Sequence, residues 1–551
     1  MFNGTAMNDS LKFPLALFLA LGATIASWAS NPLAASEPKS KDQGVNQSAK
    51  QPNILFVFSD DHALETISAY NGRYKDIAPT PNLDRLAKQG AIFENSFCAN
   101  SICGPSRACI LTGKHSHTNG FRKNGEHFDG AQWSFQKDLG KAGYQTALIG
   151  KWHLHGRPQG FDHWEIVPGQ GNYYNPDFIT MDGKQHRETG YCTDIVTEKA
   201  VDWLDKRDKT KPFLVMCQHK APHRTWSPAL RHLDAFNDVE FPQPSNLFDD
   251  YATRTKTMAQ NKMSIANDLL WRYDLKIRPE EHKGVKLPNP RQGGAIEYNR
   301  MNAEQKKAWD DHFGPLNQQF IADFQAGKYD DKKKLTGWMY QRYIKNYVAT
   351  IKSVDESVGR LLDYLDDNDL ADNTIIIYSS DQGFYLGEHG WYDKRWMFEE
   401  SFKMPFLIRW PGTVQPGTRP QALIQNIDYA PTFLEIAGIK VPKEIQGMSM
   451  VPMFKNDCKP TANWRDDLYY AYWEGHRSIH AVPRHDGVRT DRYKIFFIPE
   501  TQEWQLFDLV KDPQELKSVH DNSDYSKILE DMKKRYTANR QKFGSNHGKR
   551  K

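Results

Sequence analysis

Short apolar runs that end in polar residues recur along the chain. The run 53–59 (NILFVFS) ends in Asp60 and Asp61, and the β-branched run 374–378 (TIIIY) is followed by Ser-Ser-Asp-Gln-Gly. Continuous apolar runs of this length are typical of strands buried in a parallel sheet. Two further runs, 144–149 and 212–216, also lead into polar residues. Ligands of open α/β sheets bind outside the carboxyl ends of the strands, so these ends predict a site.

Helical periodicity separates the predicted strands. Apolar residues follow one another at steps of three or four from Tyr340 to Leu365, which predicts a helix over 338–365 with one buried stripe. Residues 366–373 end this helix and lead into the run 374–378. The segments 79–89 and 427–437 also favour helices, and Gly438 closes the second. This succession of helix and strand predicts an α/β core.

Two regions depart from that pattern. Residues 243–335 are polar and have no strand period, so we interpret them as an insertion of helices and loops. Beyond Thr461, aromatic and polar residues alternate at 468–473, 488–498 and 504–507, which predicts a small antiparallel sheet. We therefore expect a catalytic domain over 52–460 and a smaller C-terminal α+β subdomain over 461–551.

The N-terminus has the pattern of an export signal. An apolar run from Phe13 to Trp28 is followed by small residues and a polar stretch, which predicts a signal peptide over 1–35 and a linker over 36–51. A buried first helix is the alternative. The run of 16 residues is shorter than the roughly 20 needed to span a bilayer. We expect a periplasmic or secreted protein without a stable membrane anchor.

Composition narrows the function classes. The 551 residues include 72 basic and 68 acidic side chains, a net charge of +4, and no long basic block, which disfavours nucleic-acid binding. The six cysteines are too few for a disulfide scaffold in an exported protein of this length. One or two disulfides remain open.

The segment from Cys103 to Gly113 carries the most specific motif. It reads Cys-Gly-Pro-Ser-Arg-Ala-Cys-Ile-Leu-Thr-Gly and matches every fixed position of the signature Cys-x-Pro-Ser-Arg-x-x-x-Leu-Thr-Gly. The chain thus resembles the formylglycine-dependent sulfatases of the alkaline-phosphatase superfamily, from Pro52 to the 506–513 region. The resemblance implies a large, mixed, mostly parallel central sheet flanked by helices, with a smaller C-terminal antiparallel sheet. It also implies that a maturation enzyme oxidises Cys103 to formylglycine, whose hydrate supplies the nucleophile.

The physical chemistry of this segment agrees with an anion site. Pro105 suits the first turn of a helix, so Cys103 is expected near a helix N-terminus, where N–H groups and the macrodipole favour an anion such as sulfate. Arg107, one turn along, is a permanent cation able to hold the hydrated aldehyde. A capped structural helix is the alternative.

Oxygen donors at two strand ends predict a metal site. Asp60, Asp61, Asp381 and Gln382 are hard ligands that suit calcium or magnesium better than zinc, and we expect calcium. The resemblance implies one divalent ion that also contacts the residue at 103. Many relatives carry Asn at the position of Gln382, which leaves the coordination geometry open. Alternatively, each acidic pair merely caps a helix.

Four basic residues match the remaining catalytic positions of the family: Lys151, His153, His223 and Lys394. By the resemblance, Lys151, Lys394 and the metal stabilise charge on the sulfuryl oxygens in the transition state. His223 is expected to protonate the leaving oxygen, and His153 to act as the base that releases sulfate. The assignment of the two histidines stays open.

Candidate substrate-binding residues are less well defined. His155 and Arg224 neighbour catalytic positions, whereas Trp473, His476, Arg484 and His485 lie in the C-terminal aromatic region, which folds over the pocket in similar sulfatases. Sheet packing is the alternative for the aromatic residues.

These features predict an exported sulfatase that hydrolyses O-sulfate esters of a carbohydrate. The segment 381–394 resembles sulfatases acting on glycosaminoglycan or algal sugars. Two alternatives remain: a phosphonate monoester or phosphodiester hydrolase of the same superfamily, and a non-catalytic protein that binds sulfated glycans. The sugar and the sulfated position are not specified by the motifs.

Overall fold

The computed structural model describes residues 51–547. The predicted signal peptide and all but the last residue of the predicted linker lie outside them. The strands are β1 Asn53–Ser59, β2 Ala91–Ile92, β3 Ser96–Phe97, β4 Gln145–Lys151, β5 His163–Val167, β6 Asp177–Thr180, β7 Gln185–Arg187, β8 Phe213–Gln218, β9 Thr374–Ser380, β10 Tyr385–Leu386, β11 Tyr392–Asp393, β12 Phe406–Arg409, β13 Ile424–Gln425, β14 Asp467–Tyr472, β15 His485–Thr490, β16 Tyr493–Ile498 and β17 Glu503–Asp508. The helices are α1 Pro81–Gln89, α2 Cys103–Thr112, α3 Ser116–Asn119, α4 Phe135–Lys141, α5 Cys192–Lys206, α6 Ile265–Asp268, α7 Ile296–Arg300, α8 Ala303–Gln325, α9 Lys332–Asp367, α10 Glu399–Phe402, α11 Tyr429–Ile436, α12 Val451–Phe454 and α13 Ser526–Lys542.

A nine-stranded sheet forms the centre, in the order β2-β12-β9-β1-β8-β4-β5-β6-β7. The strands β9, β1, β8, β4 and β5 are parallel, and β2, β12, β6 and β7 add antiparallel pairs at the two edges. The register places Phe58 opposite both Gln218 and Ser379, so β1, β8 and β9 end at the same edge. The predicted α/β fold with a large, mostly parallel sheet is confirmed.

Alternate residues of β1 pack in two separate hydrophobic clusters. Ile54, Phe56 and Phe58 point to one face of the sheet, where they join a cluster that includes residues of α4 and α11. Leu55 and Val57 point to the other face and join residues of α1, α5 and α9. Both faces are therefore covered, which explains why this strand is apolar at every central position.

The insertion 243–335 contains α6, α7, α8 and irregular segments, without a strand. Its apolar side chains, among them Trp271 and Phe320, pack against α9 through Met339 and Tyr343 in a third cluster. The interpretation of this region as helices and loops is confirmed. The helix predicted over 338–365 is longer than expected, since α9 runs from Lys332 to Asp367. Asp331 caps its N-terminus by accepting a hydrogen bond from Lys333 N–H.

The C-terminal region forms the predicted antiparallel sheet, in the order β14-β15-β16-β17. Helix α13 covers one face, where Met532 and Tyr536 pack on Val488 and Ile495. The range 488–498, which the sequence placed in this sheet, forms the hairpin of β15 and β16, with Asp491 and Arg492 at its turn. This sheet completes the expected architecture.

All six cysteines lie within the described residues, and each is buried and unpaired. The disulfides that the sequence left open are therefore absent from this part of the chain. Among residues 51–547, no helix is both long and apolar enough to cross a membrane.

Candidate active site

The carboxyl ends of the central strands bring the predicted residues together. Asp60 and Asp61 follow β1, Asp381 follows β9, and Lys151 is the last residue of β4. Asp61 N–H donates a hydrogen bond of 3.0 Å to Asp381 Oδ1, and the thiol of Cys103 lies 4.0 Å from Asp61 Oδ1. All five side chains are buried. The two strand ends therefore form one site, as their common edge predicts.

Cys103 is the first residue of α2, as Pro105 indicated. The helix is buried along its whole length, and a Cβ added at Gly104 would lie 2.6 Å from the ring of Phe121 and 3.0 Å from the carbonyl oxygen of His153. A glycine is therefore required at this position. The tight contact places His153 directly beside the helix start.

Three cations face the three carboxylates. Lys394 Nζ lies 2.6 and 2.7 Å from the oxygens of Asp61, and Lys151 forms an ion pair with Asp60. Arg107 lies 3.2 Å from Asp381 Oδ2 through Nη2. The guanidinium also donates to Gln218 Oε1 at 2.7 Å. The charges of the protein groups thus balance at the centre of the site.

Burial keeps the two histidines neutral. It lowers the pKa of His153 and of His223 well below the usual range, and the charge of Lys151 adds to the effect at both rings. His223 Nδ1 lies 2.6 Å from the carbonyl oxygen of Arg224. Because a carbonyl only accepts, Nδ1 carries the proton and leaves Nε2, which is 3.8 Å from Asp61 Oδ2, as the basic nitrogen.

Burial also shifts the pKa of two acidic groups at the centre. It raises the pKa of Asp61 to about 7, although the ammonium group of Lys394 acts in the opposite direction. It raises the pKa of the Cys103 thiol as well. An unmodified thiol at this position is therefore held in its protonated form.

The donor set fits a divalent cation. One ligand atom each from Asp60, Asp61, Cys103 and His223 lies within 4.8 Å of the others. In the described part of the chain, the buried oxygens Asp60 Oδ1 and Gln382 Oε1 have no hydrogen-bond donor. Buried oxygens without donors are costly unless a cation occupies the space between them. The hard oxygens at both strand ends match the ligand preference of calcium and magnesium.

Two of the predicted substrate-binding residues border this centre. The ring of His155 lies 6.3 Å from that of His153 and 5.6 Å from that of His127. Arg224 adjoins His223 and is held by Asp274, whose Oδ1 lies 2.7 Å from Arg224 Nε. The structure places both residues where the sequence predicted them.

The other predicted substrate-binding residues lie elsewhere. Trp473 packs against His547 at a ring distance of 4.5 Å, and His485 is fully buried with its ring 4.8 Å from Trp396. His476 and Arg484 both pair with Glu500. In the described part of the chain these four side chains pack or form ion pairs, which matches the packing alternative that the sequence left open for the aromatic residues.

A polar group that the sequence reasoning missed lies next to Lys394. Asp393 Oδ1 accepts hydrogen bonds of 2.9 Å from Lys394 N–H and from Arg395 Nε. His480 Nε2 lies 3.6 Å from Asp393 Oδ2. Burial and the charge of Arg395 lower the pKa of His480 to about 3, although the carboxylate of Asp393 acts in the opposite direction. The sequence could have pointed to Asp393, because it adjoins Lys394. No sequence pattern marks His480 as a site residue.

Comparisons with known proteins agree with this geometry. The sulfatase family model matches residues 52–439, and the model for the C-terminal region of N-sulphoglucosamine sulphohydrolase matches residues 387–542. The N-acetylglucosamine-6-O-sulfatase of Bacteroides thetaiotaomicron is 46% identical over 519 residues, which are 92% of this chain and 91% of that protein. The sulfatase family model thus spans the residues assembled at the strand ends.

Solved structures extend the comparison. One protein, bound to its substrate D-glucosamine-2-N,6-O-disulfate, is 44% identical, with a TM-score of 0.84 over 90% of this chain and 99% of the other. The phosphonate monoester hydrolase of Agrobacterium radiobacter is 18% identical with a TM-score of 0.64, over 89% of this chain and 96% of the other, and shares the fold. The chain is a sulfuric ester hydrolase that belongs to the sulfatase family.

Proposed function

We propose that the protein removes the 6-O-sulfate group from a glucosamine residue of a sulfated carbohydrate. The observation that carries the proposal is the 46% identity, over almost the full length of both chains, to an N-acetylglucosamine-6-O-sulfatase. The 44% identical structure with a glucosamine disulfate bound as substrate supports the same class of sugar. The reactive side chains of the site are all present; Cys103, Arg107, Lys151, His153 and Lys394 are buried, and His223 is partly buried.

We also propose that Cys103 is oxidised to formylglycine by a maturation enzyme and that the site holds one calcium ion. The hydrated aldehyde supplies an oxygen nucleophile, and the cation supplies positive charge next to the sulfuryl oxygens. Asp60, Asp61, Asp381 and Gln382 would hold the cation, together with the residue at 103. Because the protein's own charges balance, a divalent cation gives the site a net charge of +2, which favours a sulfate ester.

The chain's own groups would then divide the proton transfers. His223 is anchored through Nδ1 on the Arg224 carbonyl oxygen, so Nε2 is the atom directed into the site. The negative charge of a bound ester favours protonation of Nε2, which can then donate to the leaving sugar oxygen. His153 Nδ1 has no hydrogen-bond partner among the described residues and is free to accept a proton.

The sugar would be held by the polar wall beside Lys394. Asp393 and His480 are buried and Arg224 is partly buried, and all three are polar groups close to the lysine that faces Asp61. An ionised carboxylate and a neutral imidazole accept hydrogen bonds from sugar hydroxyls, and His155 adds a second imidazole near His153. We propose these four residues as the substrate-binding set.

We further propose that the protein acts outside the cytoplasm. The apolar run and small residues at 13–35 support export through a cleaved signal. A periplasmic or secreted location fits a substrate that is a large sulfated carbohydrate.

The test is the release of free sulfate from a panel of defined esters by the matured, calcium-loaded protein. We expect N-acetylglucosamine 6-sulfate to react at least about tenfold faster than N-acetylgalactosamine 4-sulfate or glucosamine N-sulfate. When the sulfate ester is at another position of the sugar, it is no longer aligned with the nucleophile and the proton donor. A phosphonate monoester in the same panel tests the alternative chemistry. Faster reaction of the 4-sulfate, the N-sulfate or the phosphonate would contradict the proposal.

A further inference from the structure

A second cavity lies on the far side of α9 from the active site. It has a volume of about 230 Å³ and is lined by residues of α8 and α9, among them Phe313, Leu316, Trp338 and Arg342. Leu316 is 39% exposed, so the cavity reaches the surface. Nothing in the catalytic centre uses this cavity.

Helix geometry separates the two sites. Arg342, Asn346 and Ala349 fall on one stripe of α9 and line the cavity. Tyr347 lies on another face of the helix, because successive residues are rotated by about 100°. Its hydroxyl donates to the backbone carbonyl oxygen of Asp61 at 2.5 Å. The helix therefore stands between the cavity and the active site.

The cavity contains a buried cation without a counter-ion. Arg342 is only 9% exposed, and within residues 51–547 its side chain makes no hydrogen bond or ion pair; Nη1 is completely enclosed. The guanidinium rests on the rings of Phe313 and Trp338, at 5.4 and 5.2 Å. Burial lowers the pKa of Arg342 to about 10, so it is still charged at neutral pH. Unpaired buried charges are costly and rare in folded proteins.

The acids around Arg342 are engaged elsewhere. Glu281, whose charge acts on Arg342, lies 3.3 Å from Arg278 Nη2 and accepts a hydrogen bond from Asn317. Asp323, at the edge of the cavity, pairs with Lys328 at 2.6 Å. Residues 51–547 thus provide no partner for this guanidinium.

The side-chain amide of Asn346 is a second donor near this cavity without an acceptor among residues 51–547. Asn346 is 5% exposed and lines the cavity, and its Nδ2 has no acceptor in the described part of the chain. Lys345 adds positive charge to the lining, although its ammonium donates to Asn237 O at 2.8 Å. The edge of the Arg342 guanidinium that is not enclosed meets the cavity without an acceptor from the described residues and defines a site for an oxyanion, with Asn346 one helical turn away.

We propose that this cavity binds the oxyanion of an anionic sugar residue, either a carboxylate or a sulfate, as an accessory site for a carbohydrate polymer. Arg342 and Asn346 hold the oxyanion, and Leu316 and the half-buried Trp338 at the opening contact the sugar ring. The choice of a sugar as the carrier rests on the proposed function. The oxyanion itself follows from the two donors alone.

Calorimetric titration tests the site without turnover. The full chain carrying Cys103→Ala is titrated with D-glucuronate, with glucose 6-sulfate and with D-glucose. We compare Arg342→Met, which keeps the packing of the stem against the rings, with Arg360→Met, an exposed arginine on the same helix that serves as the control. We expect binding of at least one anionic sugar, weakened about tenfold or more by Arg342→Met and unchanged by Arg360→Met.

Stability measurements separate binding from folding. Because Arg342→Met removes an unpaired buried charge, its Tm should equal or exceed that of the parent. If Arg342→Met fails to fold, the same titrations are made with Asn346→Leu, for which we expect the same loss of affinity for the anionic sugar. Equal affinity in the decisive variant and the control, equal binding of D-glucose, or no binding of either anion would overturn the proposal. Sulfate release from a monosaccharide by the matured parent is measured separately, so failure of the proposed activity is distinguishable.

Discussion

Some residues of this protein hold charge where water is excluded because specific partners stabilise that charge. His389 is an example outside the catalytic centre. Its ring is fully buried, with Nδ1 3.0 Å from Asp249 Oδ2 and Nε2 3.8 Å from Glu400 Oε2. Burial alone lowers the pKa of His389, but the two carboxylates reverse this and raise it to about 9. The charged imidazole therefore belongs to the folded state.

This residue predicts how stability depends on pH. The folded pKa exceeds the usual value of 6.5, so the contribution of His389 is fully present below about pH 6.5 and is lost as the pH rises through about 9. The change amounts to at most about 3 kcal/mol. We expect His389→Asn, which tolerates the φ of 55° at this position, to flatten this part of the curve of Tm against pH. His476→Asn, at an exposed histidine, is the control. If His389→Asn leaves the curve of Tm against pH unchanged, His389 is not the source of this pH dependence.

At the scale of elements, the site depends on β1 and β9 ending at the same edge. Asp60 and Asp61 come from one strand and Asp381 from its neighbour, paired in parallel register. A cation bound between them would tie the two strand ends together. Binding to the folded state alone raises stability by RT ln(1 + [L]/Kd), about 2.7 kcal/mol at a hundredfold excess over Kd.

This predicts a calcium-dependent Tm. We expect treatment with a chelator to lower Tm and added calcium to restore it more effectively than magnesium, because calcium takes more oxygen ligands and the site offers several buried oxygen donors. Asp381→Asn should remove most of this shift, whereas Asp372→Asn, at an exposed residue just before β9, should keep it. A Tm that responds equally in both variants would place the cation elsewhere.

The elements also show how far sequence reasoning reaches. The strands at 53–59 and 374–380 were predictable because both faces are buried, which makes every central residue apolar. The edge strands β6 and β7 were not predicted, since Gln185–Arg187 is fully exposed and its residues carry no apolar alternation. In the site, the signature pointed to Cys103 and Arg107, and the polar ends of two strands pointed to Asp60, Asp61, Asp381 and Gln382, which the structure brings together. His480 was missed because it lies in a loop far from Asp393 in the sequence, and no local sequence pattern predicts that the two residues meet.

At the scale of the whole molecule, the two sides of α9 differ in their electrostatics. On one side, cations and carboxylates balance at the strand ends. On the other, Arg342 has no counter-ion among residues 51–547 and lines an open cavity. A polymeric substrate would engage both, which would lower KM for a polymer relative to a monosaccharide without changing the chemistry at Cys103.

The rate of sulfate release from N-acetylglucosamine 6-sulfate, compared between the matured protein and Cys103→Ala, tests the proposed function most directly. Both proteins are produced with the maturation enzyme and loaded with calcium, and equal Tm values verify the fold. Because the residue at 103 supplies the nucleophile, we expect release by the parent and a rate at least about a thousandfold lower in the variant. Equal rates in the two proteins, or no release by a parent with formylglycine verified at position 103, would contradict it.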